Sequence, residues 1–324
     1  MPLSSAVPAI PQMASPNLLA DTDITAAELH DLLALASDVK ARPRAYAHVL
    51  AGRYIALLFE KPSLRTRVTF ELAIKQLGGG HVFQDHRDGR IGEREPVRDM
   101  ARNLDRWVDA IVARTFAQGT LDELAKWSSV PVINALSENY HPCQALADYF
   151  TLYEKFGNLK GKKLAFIGDG NNVCHSLLLT GAKLGVSVTV AGAPGYEPDP
   201  AVLSTAREIA AANGASIEVT GDAIEAVRDA IGVYTDVWTS MGWEEETQRR
   251  NIAFAAYQVT GAMLDKAGPG AVFMHCLPAQ RGQEVTHAVI ESERSIVFDQ
   301  AENRLHAQKA LLLMMIGPAS GDAR

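Results

Sequence analysis

The sequence predicts an α/β protein built as two doubly wound parallel-sheet domains. Two observations predict it. Short apolar, β-rich runs alternate with helical periodicities along nearly the whole chain, as parallel strands joined by crossover helices do. The unusual polar clusters, "EKPSLRTR", Arg114, "HPCQ", "GDGNN", "DVWTSMG" and "HCLP", all follow apolar strands, where ligands bind in such folds. A length of 324 residues also exceeds one small domain.

The elements follow in order. Residues 1–16, "MPLSSAVPAIPQMASP", are rich in Pro, Ser and Ala and predict an extended arm. A first domain is expected over 17–150. It opens with the helical stretch "TAAELHDLLALASDVKA"; "RYIALLF" and "DAIVART" are strands, each preceding a helix. The helix after "RYIALLF" has Phe70, Ala73, Ile74 and Leu77 on one face and stops at "GGG". "VPVINAL" leads into a helix with Leu146, Tyr149, Phe150 and Tyr153 at i, i+3, i+4, i+7; Pro142 suits its first turn and Gly157 its end. The connector "GNLKGKK" then opens a second domain, 151–304. Its strands are "KLAFIGD", "VSVTVAG", "SIEVTG", "GVYTDVW" and "AVFMHC". A last helix, 305–324, is expected to pack back on the first domain.

Composition narrows the function. A chain 47% hydrophobic and 21% charged is an ordinary globular one, and a net charge of -7 argues against nucleic acid or an anionic membrane as partner. No apolar run approaches the roughly 18 residues of a membrane span. The first basic residue is Lys40, so neither a secretory signal nor a transit peptide is expected. Three scattered cysteines, Cys143, Cys174 and Cys276, make neither a disulfide framework nor a cysteine-rich metal site, and fit a reducing cytoplasm.

Three cations within seven residues, Lys61, Arg65 and Arg67, would repel one another on a bare turn. Ser63 is a plausible N-cap, which leaves backbone N–H groups of Leu64, Arg65 and Thr66 free in the first turn. That end of a helix already carries about half a positive charge, so arginines there make sense around a phosphate or similar anion. Each charge-assisted contact is then worth on the order of 1.5–3 kcal/mol. The glycines of a P-loop are missing. Arg114 closes a strand at the same sheet end, and taken alone fits a surface arginine equally well. Arg304 repeats the anomaly, a cation at the start of an apolar helix, with an ion pair to Glu302 as its structural alternative. His141 and Gln144 stand beside a Pro-started helix; His275 and Cys276 follow a buried strand, with Pro278 stopping helix continuation. Alone, each is as well explained by packing. "FIGDGNNVCHS" has Val173 in place of the third dinucleotide glycine and the next strand ends without an acid, which argues against a dinucleotide dehydrogenase. Asn171 and Asn172 suit a small polar ligand, and Asp236 an ammonium with Ser240 nearby, or else the cap of a helix starting near Glu244.

Taken together, "FEKPSLRTR", "HPCQ", "DVWTSMG" and "HCLP", in that order from about Asn17 onward, resemble the ornithine carbamoyltransferase family. The resemblance implies transfer of a carbamoyl group from carbamoyl phosphate to the δ-amine of L-ornithine, giving citrulline and phosphate without metal or organic cofactor. It implies that Ser63, Leu64, Arg65 and Thr66 bind the phosphate while Arg67 ties the loop down. Arg114, His141 and Gln144 would grip the carbamoyl oxygen and phosphate, with Arg304 reaching in. Asn172, Asp236, Ser240 and Met241 would hold ornithine, and Cys276 and Leu277 line the gap between the substrates. It further implies a cytoplasmic homotrimer, or a multiple of one, with a loop lent by the neighbouring subunit. Two positions depart from the family pattern: Leu64 stands where Thr is usual, and Arg90, in the loop that matches the lent one, where Gln is usual. A transcarbamylase for putrescine, lysine or acylated ornithine, or a non-catalytic phosphate-ligand binder, are the alternatives.

Overall fold

The computed structural model describes residues 9–240 and 242–318. They fall into two compact units, the described parts of Met1–Phe150 with Asn303–Arg324, and Thr151–Glu302.

In the first unit α1 (Ala26–Ala41) begins in a capping box. Thr25 Oγ1 accepts from the Glu28 N–H and the Glu28 carboxylate accepts from the Thr25 N–H. The chain then runs β1 (Tyr54–Phe59), α2 (Leu64–Gln76), β2 (Gly80–Asp85), α3 (Val97–Leu104), β3 (Ala110–Arg114), α4 (Gln118–Trp127), β4 (Val132–Leu136) and α5 (Pro142–Phe156). All strand pairs are parallel, in the order β2-β1-β3-β4. β3 and β4 are buried throughout and β1 beyond its first residue, which is why they read as continuous apolar runs. Leu58, Ile111 and Ala113 pack with Ala101, Leu121 and Leu124 into one core. Each fully buried leucine contributes about 1.5–3 kcal/mol.

β2 escaped the sequence reading, which took "GGG" only as a helix stop. It is an edge strand, exposed or half-exposed along its whole length, so His81, Gln84 and Asp85 break any apolar run. Gly80 lets the Tyr54 ring lie against the strand, since a Cβ there would come 2.7 Å from that exposed ring and displace it.

The second unit runs β5 (Lys163–Ile167), α6 (Asn172–Lys183), β6 (Ser187–Ala191), α7 (Pro200–Asn213), β7 (Ile217–Thr220), α8 (Ala223–Val227), β8 (Gly232–Thr235), α9 (Thr247–Phe254), α10 (Gly261–Lys266), β9 (Val272–His275) and α11 (His287–Ile290). Its sheet is parallel in the order β7-β6-β5-β8-β9. The helix α12 (Val297–Ile316) starts eight residues before the expected 305 and carries the chain back into the first unit at Asn303. Val297, Gln300, Asn303 and Arg304 share its buried face, with Ile296 buried just before it, so the pattern that defines the helix begins before "AENR". No helix among the described residues is long and apolar enough to cross a membrane.

Strand order reverses between β1 and β3 in one sheet and between β5 and β8 in the other. Such switch points open a crevice at the carboxyl ends of the strands.

Candidate active site

The crevice of the first unit collects cations. Ser63 caps α2, its Oγ accepting from the Thr66 N–H at 3.2 Å. Leu64 opens the helix with its side chain in solvent, 74% exposed, so what it presents inward is backbone. Arg65 follows, half-buried. Arg67 is tied to its own helix and to β2: its Nε donates to Glu71 at 2.8 Å and its guanidinium lies 3.6 Å from the Phe83 ring centre. Arg114 is the last residue of β3 and is buried. His141 directly precedes α5, and Gln144 sits in its first turn.

Arg304 is not at the start of its helix. It lies in the third turn of α12, 2% exposed, and its guanidinium donates to Gln144 Oε1 and, at 3.1 Å, to Thr66 Oγ1. A single buried arginine thus joins "SLRT" to "HPCQ". Gln144 in turn donates to Asp148 at 2.7 Å.

Burial pushes the His141 imidazole well below its ordinary pKa, and the charges of Arg304, Arg114, Arg65 and Lys61 push it further. The ring is therefore neutral at pH 7. Lys61 is buried too and falls to about 8, chiefly by desolvation and then by Arg114.

The second unit's crevice holds the other group. Asn171 caps α6 through its Oδ1, which accepts from the Val173 and Cys174 N–H groups. Its Nδ2 donates to Asp236 Oδ2 at 2.8 Å. Asn172 is the first residue of α6. Asp236 follows β8 and does not cap a helix: its Oδ1 accepts from its neighbour's N–H, Val237, at 2.8 Å and from Cys276 Sγ at 3.0 Å. The Ser240 carbonyl accepts from the Trp243 N–H. Met241 lies outside the described residues.

His275, Cys276 and Leu277 form a bent strap after β9. Leu277 is left-handed, at φ 57°, and its N–H donates to His275 Nδ1 at 2.8 Å. The proton therefore sits on Nε2, which faces Glu284 Oε1 at 3.1 Å. Donor atoms of Asp236, His275 and Cys276 come within 4.8 Å of one another. Both imidazole nitrogens are already committed to hydrogen bonds, so this set is not arranged as a ready metal site.

Several residues that build these sites gave little signal in sequence. Glu60 is an acid between an apolar strand and a basic loop, an oddity that was visible; its buried carboxylate accepts from the Ile91 and Phe116 N–H groups. Glu284 lies in an unremarkable polar run, and its role appears only in three dimensions. Arg250 Nη1 donates to Asp169 at 2.7 Å and to the Trp238 carbonyl, tying α9 to the ends of β5 and β8. Burial raises Asp169 to about 6 even though Arg250 opposes the shift.

Two family models cover the chain. The carbamoyl-P binding domain of aspartate/ornithine carbamoyltransferases matches residues 17–154, and their Asp/Orn binding domain matches 160–315. An ornithine carbamoyltransferase of Thermococcus kodakarensis is 48% identical over 310 residues, 94% of this chain and 98% of its own length. One of Pyrococcus furiosus named as anabolic is 47% identical, again over 94% and 98%. The solved ornithine carbamoyltransferase of Pyrococcus furiosus superposes with a TM-score of 0.91 at 47% identity, covering 95% of this chain and 99% of that one. That of Gloeobacter violaceus gives 0.85 at 47%, over 93% and 99%. The chain belongs to the aspartate/ornithine carbamoyltransferase family.

Proposed function

We propose that this chain transfers the carbamoyl group of carbamoyl phosphate to the δ-amine of L-ornithine, yielding L-citrulline and phosphate. The carrying observation is that the cations Lys61, Arg114 and Arg304 are buried in the first unit with His141, and that Arg304 joins Thr66 in the first turn of α2 to Gln144 in the first turn of α5. Like charges gather at tolerable cost around an anion, and a phosphate dianion at the α2 N-terminus is that anion.

We assign the phosphate to Ser63, the backbone of Leu64, Arg65 and Thr66, with Arg304 and Gln144 behind them. Arg114 and the neutral His141 take the carbamoyl oxygen, where negative charge grows as the amine adds. Asn172, Asp236, Ser240 and Met241 hold ornithine, whose ammonium groups Asp236 attracts. Cys276 and Leu277 border the reacting carbon through their backbone carbonyls.

The attacking amine must be neutral, although a lysine-like amine has a pKa near 10.4. It loses a first proton to solvent water as the two substrates are enclosed. Its lone pair forms the new C–N bond and the carbonyl electrons move to oxygen. Their return expels phosphate, which accepts the amine's remaining excess proton. Holding both substrates in register contributes up to roughly 7–11 kcal/mol in ideal cases.

We place the enzyme in the cytoplasm, in keeping with three free cysteines. We further propose a homotrimer. Leu64, Val68 and Leu72 make an exposed apolar stripe at i, i+4, i+8 of α2, and Val82 on the edge strand β2 is 52% exposed; a subunit contact would cover them.

The test is product formation by the purified protein from carbamoyl phosphate with L-ornithine, N-acetylornithine, putrescine, lysine or aspartate in parallel. Turnover with ornithine alone is expected. Turnover with another amine would move the specificity, and carbamoyl phosphate binding without turnover would favour a non-catalytic protein.

A further inference from the structure

One strand away from the ornithine crevice, the second unit has a cavity of about 200 Å³ beyond the carboxyl ends of β6 and β7. Val190 and Val219, register partners on the two strands, line it together with Pro194 and Tyr196. Its polar lining includes Thr220 and Glu197, and Glu197 is the one charged side chain among these residues. That carboxylate is exposed, and only its Oε2 is engaged, accepting from the Gly195 N–H at 3.0 Å. An apolar wall with a single acid at its rim suits a small organic cation, the apolar body giving affinity and the charge orientation. At about 30 Å³ per water, the space is that of roughly seven waters, enough for a flat amidine or amine.

The wall of this cavity is also the back of the loop that carries Asn171. The Gly170 N–H donates to the Tyr196 carbonyl at 2.9 Å. A Cβ at Gly170 would lie 2.2 Å from the Pro198 nitrogen, and one at Gly192 2.4 Å from the Gly168 carbonyl oxygen. Residues 192–198 and "GDGNN" therefore touch backbone to backbone, with no side chain between them to absorb a shift. The Tyr196 ring centre lies 4.8 Å from the Arg250 guanidinium and 5.0 Å from the Phe254 ring centre. Arg250 holds Asp169 after β5 and the Trp238 carbonyl after β8, the second only two residues from Asp236. The Tyr196 hydroxyl, although buried, has no hydrogen-bond partner among the described residues, so packing alone sets where the ring sits.

We propose that this cavity binds a small organic cation and that its occupant weakens ornithine binding through Tyr196 and Arg250. The second half rests on the ornithine assignment made above. A flat cation laid on Val190 and Val219 pairs with Glu197 and presses the Tyr196 ring towards Arg250. The bonds from Arg250 to Asp169 and to the Trp238 carbonyl are then strained, and the loop that presents Asp236 loosens.

Benzamidine, a flat ring with one amidinium, is the probe, and benzamide its neutral counterpart. Calorimetry reads the binding of each to the full chain, and kinetics read both KM values with benzamidine present. Benzamidine is expected to bind. Benzamide, and benzamidine on E197Q, should each bind about three- to fivefold more weakly, the worth of a charge pair open to solvent. V219W, on a half-exposed edge strand, fills the cavity and should abolish binding; E197Q, an exposed near-isosteric change, reads the same site if V219W does not fold. Saturating benzamidine should raise the KM of ornithine about fivefold, the lower end of ordinary coupling between sites. The KM of carbamoyl phosphate should stay in place, and V219W should remove the effect. Benzamidine that binds V219W normally but not D236N sits in the ornithine crevice and overturns the site. No binding of benzamidine, or equal binding of benzamide, overturns the cation class. Binding in the cavity with the KM of ornithine unmoved overturns the coupling. Absence of turnover with ornithine would instead sink the function proposed above; V219W-sensitive binding is read without turnover and stands or falls by itself.

Discussion

His141 shows how a residue's surroundings choose its chemical form. An imidazole in water is half-charged near pH 6.5; buried among Arg304, Arg114, Arg65 and Lys61 it stays neutral well below that. A donor that keeps its form across pH 6.5–9 gives a reaction whose pH dependence in that range comes from other groups. The same shift is a stability statement. The folded pKa lies below the unfolded one, so the contribution is whole above about 6.5 and is lost as pH falls below it. His141→Asn should flatten the decline of stability as pH falls below about 6.5, read by urea titration at each pH. Arg65→Ala should lower kcat/KM for carbamoyl phosphate by roughly 10- to 150-fold, the equivalent of one lost charge-assisted contact of about 1.5–3 kcal/mol. Steady-state kinetics at fixed ornithine check it.

Elements place these residues, and their ends are where single changes tell. Ser63 accepts from the Thr66 N–H at the start of α2, so Ser63→Ala costs about 1 kcal/mol of stability and weakens phosphate binding as well. Ser63→Asp should keep the cap yet lose phosphate, because a carboxylate at that end of the helix repels a dianion. Thermal unfolding with and without phosphate separates the two effects. Asp105, just after α3, accepts from the Ser129 N–H, the Ser129 hydroxyl and the Val130 N–H. These bonds, the Ser129 N–H foremost, hold its carboxyl below the usual range. Asp105→Ala should cost about 1–3 kcal/mol at neutral pH, without change in KM, as chemical denaturation and kinetics would show.

At the scale of the whole molecule the charge is uneven. The net charge is -7, yet Lys61, Arg65, Arg90, Arg114 and Arg304 concentrate in the first unit. A local positive field in an acidic protein steers an anionic substrate and is screened by salt. The KM of carbamoyl phosphate should therefore rise between 0.05 and 0.5 M salt more steeply than that of ornithine. The exposed stripe Leu64, Val68 and Leu72 sets a second expectation. Light scattering should give three times the chain mass of 35.0 kDa or a multiple of it, and Val68→Glu should lower it and activity together.

Much of this was legible in the linear chain. Strands buried on both faces leave continuous apolar runs, so β1, β3, β4, β5, β6, β8 and β9 were marked by local composition alone, while the half-exposed edge strand β7 was marked only by its β-rich residues. A polar cap beside a basic triplet marked the candidate anion site, because helix-end electrostatics is local. The tertiary structure decided the rest. β2 is an edge strand whose polar residues hide it. Arg304 reaches Thr66 across 238 positions and Gln144 across 160, and Glu60 clamps two loops 31 and 56 residues away. Lys61, one of the three crowded cations in sequence, becomes a buried group near pKa 8. Local pattern reports which groups a segment must bury or cap; which distant partner meets them, and what protonation state results, is set by packing between elements far apart in the chain.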